Sequence, residues 1–163
     1  MKKIGILSDT HAWWDERYAV YLGECDEIWH AGDIGSIQVA ERLEAIKPLR
    51  AVRGNVDGTD LQQRYARLEH FTVEDRRVMM THIGGYPGHY DLSVRNELFR
   101  TKPDIFITGH SHILKVMFDP HLQCLCINPG AAGRYGIHKV RTLVRTVIDG
   151  DRIRDLEIIE LKD

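Results

Sequence analysis

The amino-acid sequence predicts one α/β domain spanning residues 1–163, built on a mixed sheet or on two sheets sandwiched by helices. Two observations predict that class. In the first half, short apolar runs alternate with stretches of helical spacing, the pattern of a parallel βαβαβ unit. In the second half, most apolar runs come in pairs separated by short polar turns, the pattern of hairpins. A chain of 163 residues is long enough to bury a core of two or more layers.

Taken in order, "KKIGILSD" is an apolar run stopped by Ser8-Asp9, a good buried strand. "DERYAVYLGEC" places Tyr18, Tyr21, Leu22 and Cys25 at helical spacing. "DEIWHAGD" is a second strand stopped by Gly32-Asp33. "SIQVAERLEAI" has Ser36 as N-cap and Ile37, Val39, Ala40, Leu43 and Ile46 on one stripe, so it is a helix. "LRAVRGN" is a third strand, stopped by Gly54-Asn55. "HFTVEDRRVMMTHI" alternates on both sides of a polar turn and reads as a hairpin. "LSVRNELFRTK" is a helix opening at Leu92 with Pro103 beyond its end, and "DIFITGH" is the next strand. "LKVMFD" with "LQCLCIN", and "TLVRTVIDGDRIRDLEIIEL" with Asp149-Gly150 at its turn, are two more hairpins.

Composition bounds the function. The chain is 43% hydrophobic and 28% charged, which excludes a disordered chain. The formal charge of 22 − 24 = −2 gives no electrostatic footprint for nucleic acid, and no nucleic-acid partner is expected. The basic start "MKKIGILSDTHAWWDE" lacks an apolar stretch long enough for a signal peptide. No run approaches the ~18 apolar residues of a membrane span, so a soluble cytoplasmic protein is expected. Cys25, Cys124 and Cys126 are odd in number and lack C-x-x-C spacing, which points to buried free thiols.

Nine histidines are the abnormal feature. Several stand beside Gly or Asp where an apolar run stops, which is where α/β proteins keep their chemistry. The successive strand ends carry Asp9 and His11, then Asp33, then Asn55, then His82, then His110 and His112. His110 and His112 alternate on extended backbone and so point the same way. Singly, Asp9 reads as a helix N-cap, Asp33 and Asn55 as turn residues, and His82 as an ordinary histidine. Together, seven oxygen and nitrogen donors at five strand ends exceed what turn chemistry requires. Carboxylate, amide and imidazole without thiolate suit Mn²⁺, Fe, Zn²⁺ or Ni²⁺, with Mn²⁺ the first expectation. Seven donors are too many for one open site, and two divalent ions about 3.5–4 Å apart use them.

The ordered motifs D-x-H (Asp9, His11), GD (Gly32, Asp33), GN-x-D (Gly54, Asn55, Asp57), TH (His82) and GHSH (Gly109 to His112) resemble those of the calcineurin-like metallophosphoesterases. "INPGAAGRYG" resembles the NPGS loop of the small YfcE-like phosphodiesterase branch, so the likeness spans most of the chain. It implies a single-domain αββα sandwich of two mixed sheets flanked by helices. It also implies Asp9, His11 and His112 on one metal, Asn55, His82 and His110 on the other, and Asp33 bridging. The implied reaction is attack on a small phosphodiester by a metal-bridging hydroxide, with Asp33, Asn55 and His110 as catalytic residues and Asn55 donating to a phosphate oxygen. A homo-oligomer is compatible with the resemblance, although no motif specifies one. The same fold also serves a retromer subunit that binds proteins and lacks one ligand histidine; all seven positions are filled here, which favours an enzyme over that scaffold.

Two departures bear on chemistry. Many relatives have histidine where this chain has Val56, so the usual leaving-group acid is missing and leaving groups of low pKa are expected. Ala131 stands where NPGS has serine, and an effect on substrate is expected. Arg53 is a candidate for a substrate phosphate or for pairing with Asp57, itself read as a turn acceptor. His30 is either a support for the ligands or a satisfied core histidine. Tyr86, His89 and Tyr90 belong to a glycine-rich loop that is either substrate-facing or a plain excursion. Trp13 and Trp14 either wall the pocket or plug the core; His70, His121 and His138 are assigned to surface or turn.

Overall fold

The computed structural model describes all residues, Met1–Asp163. The elements run β1 (Lys2–Leu7), α1 (Glu16–Leu22), β2 (Glu27–His30), α2 (Ile37–Ile46), β3 (Leu49–Ala51), α3 (Thr59–Arg64), β4 (Leu68–Val73) and β5 (Arg76–Thr81). They continue with α4 (Leu92–Thr101), β6 (Ile105–Ile107), β7 (Lys115–Asp119), β8 (Cys124–Asn128), β9 (Arg141–Asp149) and β10 (Arg152–Leu161). Two five-stranded mixed sheets result, ordered β10-β9-β1-β2-β3 and β4-β5-β6-β8-β7.

Strand alternation divides the side chains among three apolar layers. Ile4 and Ile6 of β1, Trp29 of β2, Val78 and Met80 of β5, and Ile105 and Ile107 of β6 meet between the sheets. Leu7, Ile28 and Ala51 face the other way, onto Tyr18 and Leu22 of α1 and Val39 and Leu43 of α2. On the far side Met79, Phe106, Cys124 and Cys126 pack under Val94 and Leu98 of α4. The order is therefore helix, sheet, sheet, helix, as the resemblance implied.

Helix ends follow their caps. Asp15, Ser36 and Asp91 accept backbone N–H groups of α1, α2 and α4, and α4 ends at Lys102 in the left-handed conformation before Pro103. The β4–β5 turn narrows to Glu74-Asp75, with Arg76 already paired to Val73. All three cysteines are free and buried. Trp14 settles into the α1–α2 core, edge-on to Tyr18 at 5.3 Å, whereas Trp13 lies at the surface under Arg134. No helix is long and apolar enough to cross a membrane.

Register fixes where chemistry can sit. Leu7 pairs with His30 and His30 with Ala51, so β1, β2 and β3 end level. Met80, Ile107 and Ile127 are likewise level in the second sheet. Both sets of parallel strands run out toward the same edge of the sandwich, and the loops that follow meet there.

Candidate metal centre

That edge gathers the seven donors. Asp9 Oδ1 lies 3.6 Å from His11 Nε2, 3.2 Å from His112 Nε2 and 3.8 Å from His82 Nε2. Asp33 Oδ2 lies 3.0 Å from His82 Nε2 and 3.6 Å from His11 Nε2. His110 Nδ1 is 3.2 Å from Asn55 Oδ1. Two triads can be drawn, Asp9–His11–His112 and Asp33–His82–His110, each with its donor atoms within 4.8 Å of one another. Asp33 Oδ2 faces an imidazole from each.

Three atoms here are buried with no hydrogen-bond partner: Asp9 Oδ1, His11 Nε2 and His82 Nε2. A fold that leaves such groups unpaired loses about 1–3 kcal/mol for each, and their convergence suits a divalent cation. Donors about 2.1 Å from one ion stand roughly 3.0–3.5 Å apart, close to the spacings found. The residues fit divalent metal.

Backbone strain marks the same place. Asp9, His11, Asp33, His110 and His112 have φ of 54, 44, 54, 73 and 63°. Non-glycine residues avoid this region at a cost of about 1–3 kcal/mol each, and five of the seven donors adopt it. The turn back over the strand end is made by the candidate ligand itself. Two neighbouring glycines serve close approach instead: a Cβ on Gly54 would fall on the backbone nitrogen and Oδ1 of Asp33, and one on Gly109 on Ser8 Oγ.

The remaining atoms of the donors are held. Ser8 Oγ–H and the His110 N–H donate to Asp9 Oδ2 at 2.7 and 3.1 Å, leaving Oδ1 free. Val56 N–H donates to Asp33 Oδ1 at 3.1 Å, leaving Oδ2 free. His82 Nδ1–H donates to Ala31 O at 2.8 Å, which turns the Nε2 lone pair inward. Burial opposes the charge on Asp9, but the imidazoles of His11, His112 and His82 outweigh it and hold the carboxyl below the usual range. Burial is likewise outweighed at Asp33, chiefly by His82. Two buried, ionised carboxylates side by side attract cations.

Supporting residues tie the loops together. Asp57 accepts N–H groups from Gly54, Ile34 and Gly35, at 2.8, 3.2 and 2.9 Å, and so clasps the β2 and β3 loops. His30 is fully buried; its Nδ1 accepts from Gly32 N–H and its Nε2–H donates to Thr10 Oγ1. Thr10 Oγ1–H in turn donates to Ile34 O at 2.8 Å. His30 is thus a satisfied core histidine and also a support for the Asp9 and Asp33 loops.

Burial pushes His30 down to about 4. An unfolded histidine takes its proton near pH 6.5, before the folded one does, so stability is whole above that value and falls as pH drops toward 4. The loss should be roughly 3 kcal/mol over that window. Urea titrations of metal-free protein from pH 7 to 4 should show it, with a shallower slope in His30→Gln.

Several expectations need correction. The Arg53 guanidinium meets neither the pocket nor Asp57; it donates to Tyr65 O at 3.2 Å, at the end of α3. Ala131 is wholly buried and its carbonyl accepts from Thr142 N–H, so a hydroxyl there would not face a substrate. His138 is more than a turn residue: its ring packs on His112 with centroids 5.1 Å apart, and Nε2–H donates to Gly133 O. His70 is at the surface beside Glu97, and His121 is exposed. Ser8, Asn128 and Tyr135 also shape the site. Asn128 Nδ2 donates to Gly109 O and Ser111 Oγ, both at 3.0 Å, and fixes the GHSH loop. Tyr135 lies over His11 at 4.8 Å. Ser8 directly precedes Asp9 and Asn128 ends β8, and that adjacency is the signal the sequence carries; Tyr135 stands in the "INPGAAGRYG" stretch, but nothing local places its ring over His11.

A calcineurin-like phosphoesterase superfamily domain matches residues 1–151. A protein of Methanothermobacter thermautotrophicus named "Probable metallophosphoesterase" is 30% identical over 166 residues, covering 96% of this chain and 91% of that protein. Among solved structures, Vps29 of Chaetomium thermophilum superposes with a TM-score of 0.82 at 16% identity, covering 99% of this chain and 87% of that one. An archaeal phosphodiesterase superposes with a TM-score of 0.73 at 24% identity, covering 98% and 99%. The chain belongs to the calcineurin-like phosphoesterase superfamily.

Proposed function

We propose that this protein is a phosphodiesterase that hydrolyses small phosphodiesters with two divalent metal ions, Mn²⁺ first among them. The observation that carries the reading is the pair of donor triads facing across Asp33, with their buried unpaired atoms. When bound, the ions supply an activated water and neutralise charge on the phosphoryl oxygens. Asp9, His11 and His112 would hold one ion and Asn55, His82 and His110 the other, with Asp33 Oδ2 between them.

The protein's own contribution follows from exposure. Asp9, Asp33 and His82 are buried, while Asn55 and His110 are exposed at the mouth. Those two are the residues a phosphate meets first, and the Asn55 amide offers N–H donors to a phosphoryl oxygen. Val56 contributes only its backbone N–H, and its side chain cannot protonate a leaving group. Diesters with low-pKa leaving groups are therefore favoured over alkyl monoesters. The archaeal phosphodiesterase among the structural neighbours supports a diester as substrate.

Vps29 neighbours keep a protein-binding scaffold in view as the second reading. Stripping the protein with chelator, restoring Mn²⁺, Ni²⁺ or Zn²⁺, and following an aryl phosphodiester beside an aryl phosphomonoester separates the two. The enzyme reading predicts metal-restored turnover, faster on the diester. Folded protein that is inert with every metal would leave the scaffold.

A further inference from the structure

The outer face of the second sheet is only partly covered. α4 lies over Met79, Phe106 and Cys124, and beyond its N-terminus the face opens between the loop at 83–91 and β7. The opening is a cleft of about 340 Å³, at the lower end of the range for small-molecule sites. It starts at the metal centre, because Gly109, His110 and Ser111 form one of its walls. Any group attached to a phosphate held at His110 has this cleft as its neighbour.

The other walls are shaped for a flat apolar body. Tyr86, Ile113 and Met117 line the cleft while 36%, 60% and 37% exposed. Tyr86 is held in place: Lys115 Nζ lies 3.4 Å from its ring centroid, and the His89 ring is 4.9 Å away. The loop that carries it is pinned by His89 N–H to Tyr86 O and by Asp91 N–H to Gly84 O, at 2.8 and 3.0 Å. In β7, Lys115 pairs with Asn128 and Met117 with Cys126, so both side chains fall on the cleft side of the sheet.

Few polar groups are left for an occupant. The Asn128 side chain is engaged with Gly109, Ser111 and Gly130, and Asp91 caps α4. Lys115 offers N–H donors to an acceptor-bearing edge, and the Asp91 carboxylate lining the same cleft disfavours a second phosphate.

We infer that the cleft is a subsite for one organic arm of the phosphoester, and that this arm is a planar aromatic ring with hydrogen-bond acceptors, of nucleobase kind. Tyr86, Ile113 and Met117 give the ring its apolar contacts, and Lys115 donates to its edge. The inference rests on the phosphoesterase reading above, so the test must tell the two apart.

Equilibrium binding to the Mn²⁺-loaded protein would be measured for inorganic phosphate, adenosine monophosphate and adenosine. The nucleotide should bind about ten-fold more tightly than phosphate, as one stacked base is worth, and Tyr86→Ala should bring the two to within about two-fold. Equal affinities in the wild type, or a preference untouched by Tyr86→Ala, would overturn the subsite. If phosphate fails to bind, the metal-centre reading falls and adenosine alone decides the cleft. Saturable adenosine binding that disappears in Tyr86→Ala keeps the subsite, and no saturable binding removes it.

Discussion

Replacing Asp33 with asparagine should lower metal-dependent turnover by about a thousand-fold or more. Its Oδ2 is 3.0 Å from His82 Nε2 and 3.6 Å from His11 Nε2, so one oxygen reaches both halves of the centre. An amide that keeps its oxygen on Val56 N–H turns an NH₂ toward those imidazoles and removes the negative charge they face. The chain should still fold, since only the inward-facing atom changes in character. Metal analysis after desalting should show fewer than two ions per chain. Full activity in Asp33→Asn would remove this residue from its proposed place between the metals.

Gly54→Ala should be severely damaging, although Gly54 carries no candidate metal donor. The added Cβ would occupy the space of the Asp33 backbone nitrogen and Oδ1, and rigid backbone cannot rotate aside. Overpacking of this kind costs about 3 kcal/mol, and here relief requires moving the strained Asp33 turn. Urea unfolding should report the lost stability and metal titration the weakened affinity. Gly58→Ala is the control: its Cβ would meet nothing nearer than Asp60 Oδ1 at 3.6 Å, and its effect should stay within about 0.5 kcal/mol. Equal behaviour of the two variants would show that loop spacing does not govern the site.

How much of this could be read from the chain depends on the range of the forces involved. Strands β1, β2 and β3 and helices α2 and α4 are written locally, in apolar spacing and in the caps Ser36 and Asp91. The candidate donors were also legible, because each stands within a few residues past the end of an apolar run. Helix α3 was not: its six residues bury only Leu61, and Gly58 gives it no side-chain cap. Nor does any local pattern say that β9 pairs antiparallel with β1 and so joins the first sheet rather than the second. Arg53 shows the same limit. Its position beside Gly54-Asn55 suggested the pocket, but the end of α3, an element with no sequence signal, supplies the carbonyls it bonds. His138 reaches His112 across a gap of 26 positions, through a loop whose course follows from tertiary packing.

The most direct test of a paired-ion centre is anomalous scattering at the manganese edge from crystals grown with Mn²⁺. Two peaks about 3.5–4 Å apart are expected on either side of Asp33, one beside Asp9, His11 and His112 and the other beside Asn55, His82 and His110. Saturating Mn²⁺ with no peak at either triad would contradict a paired-ion centre.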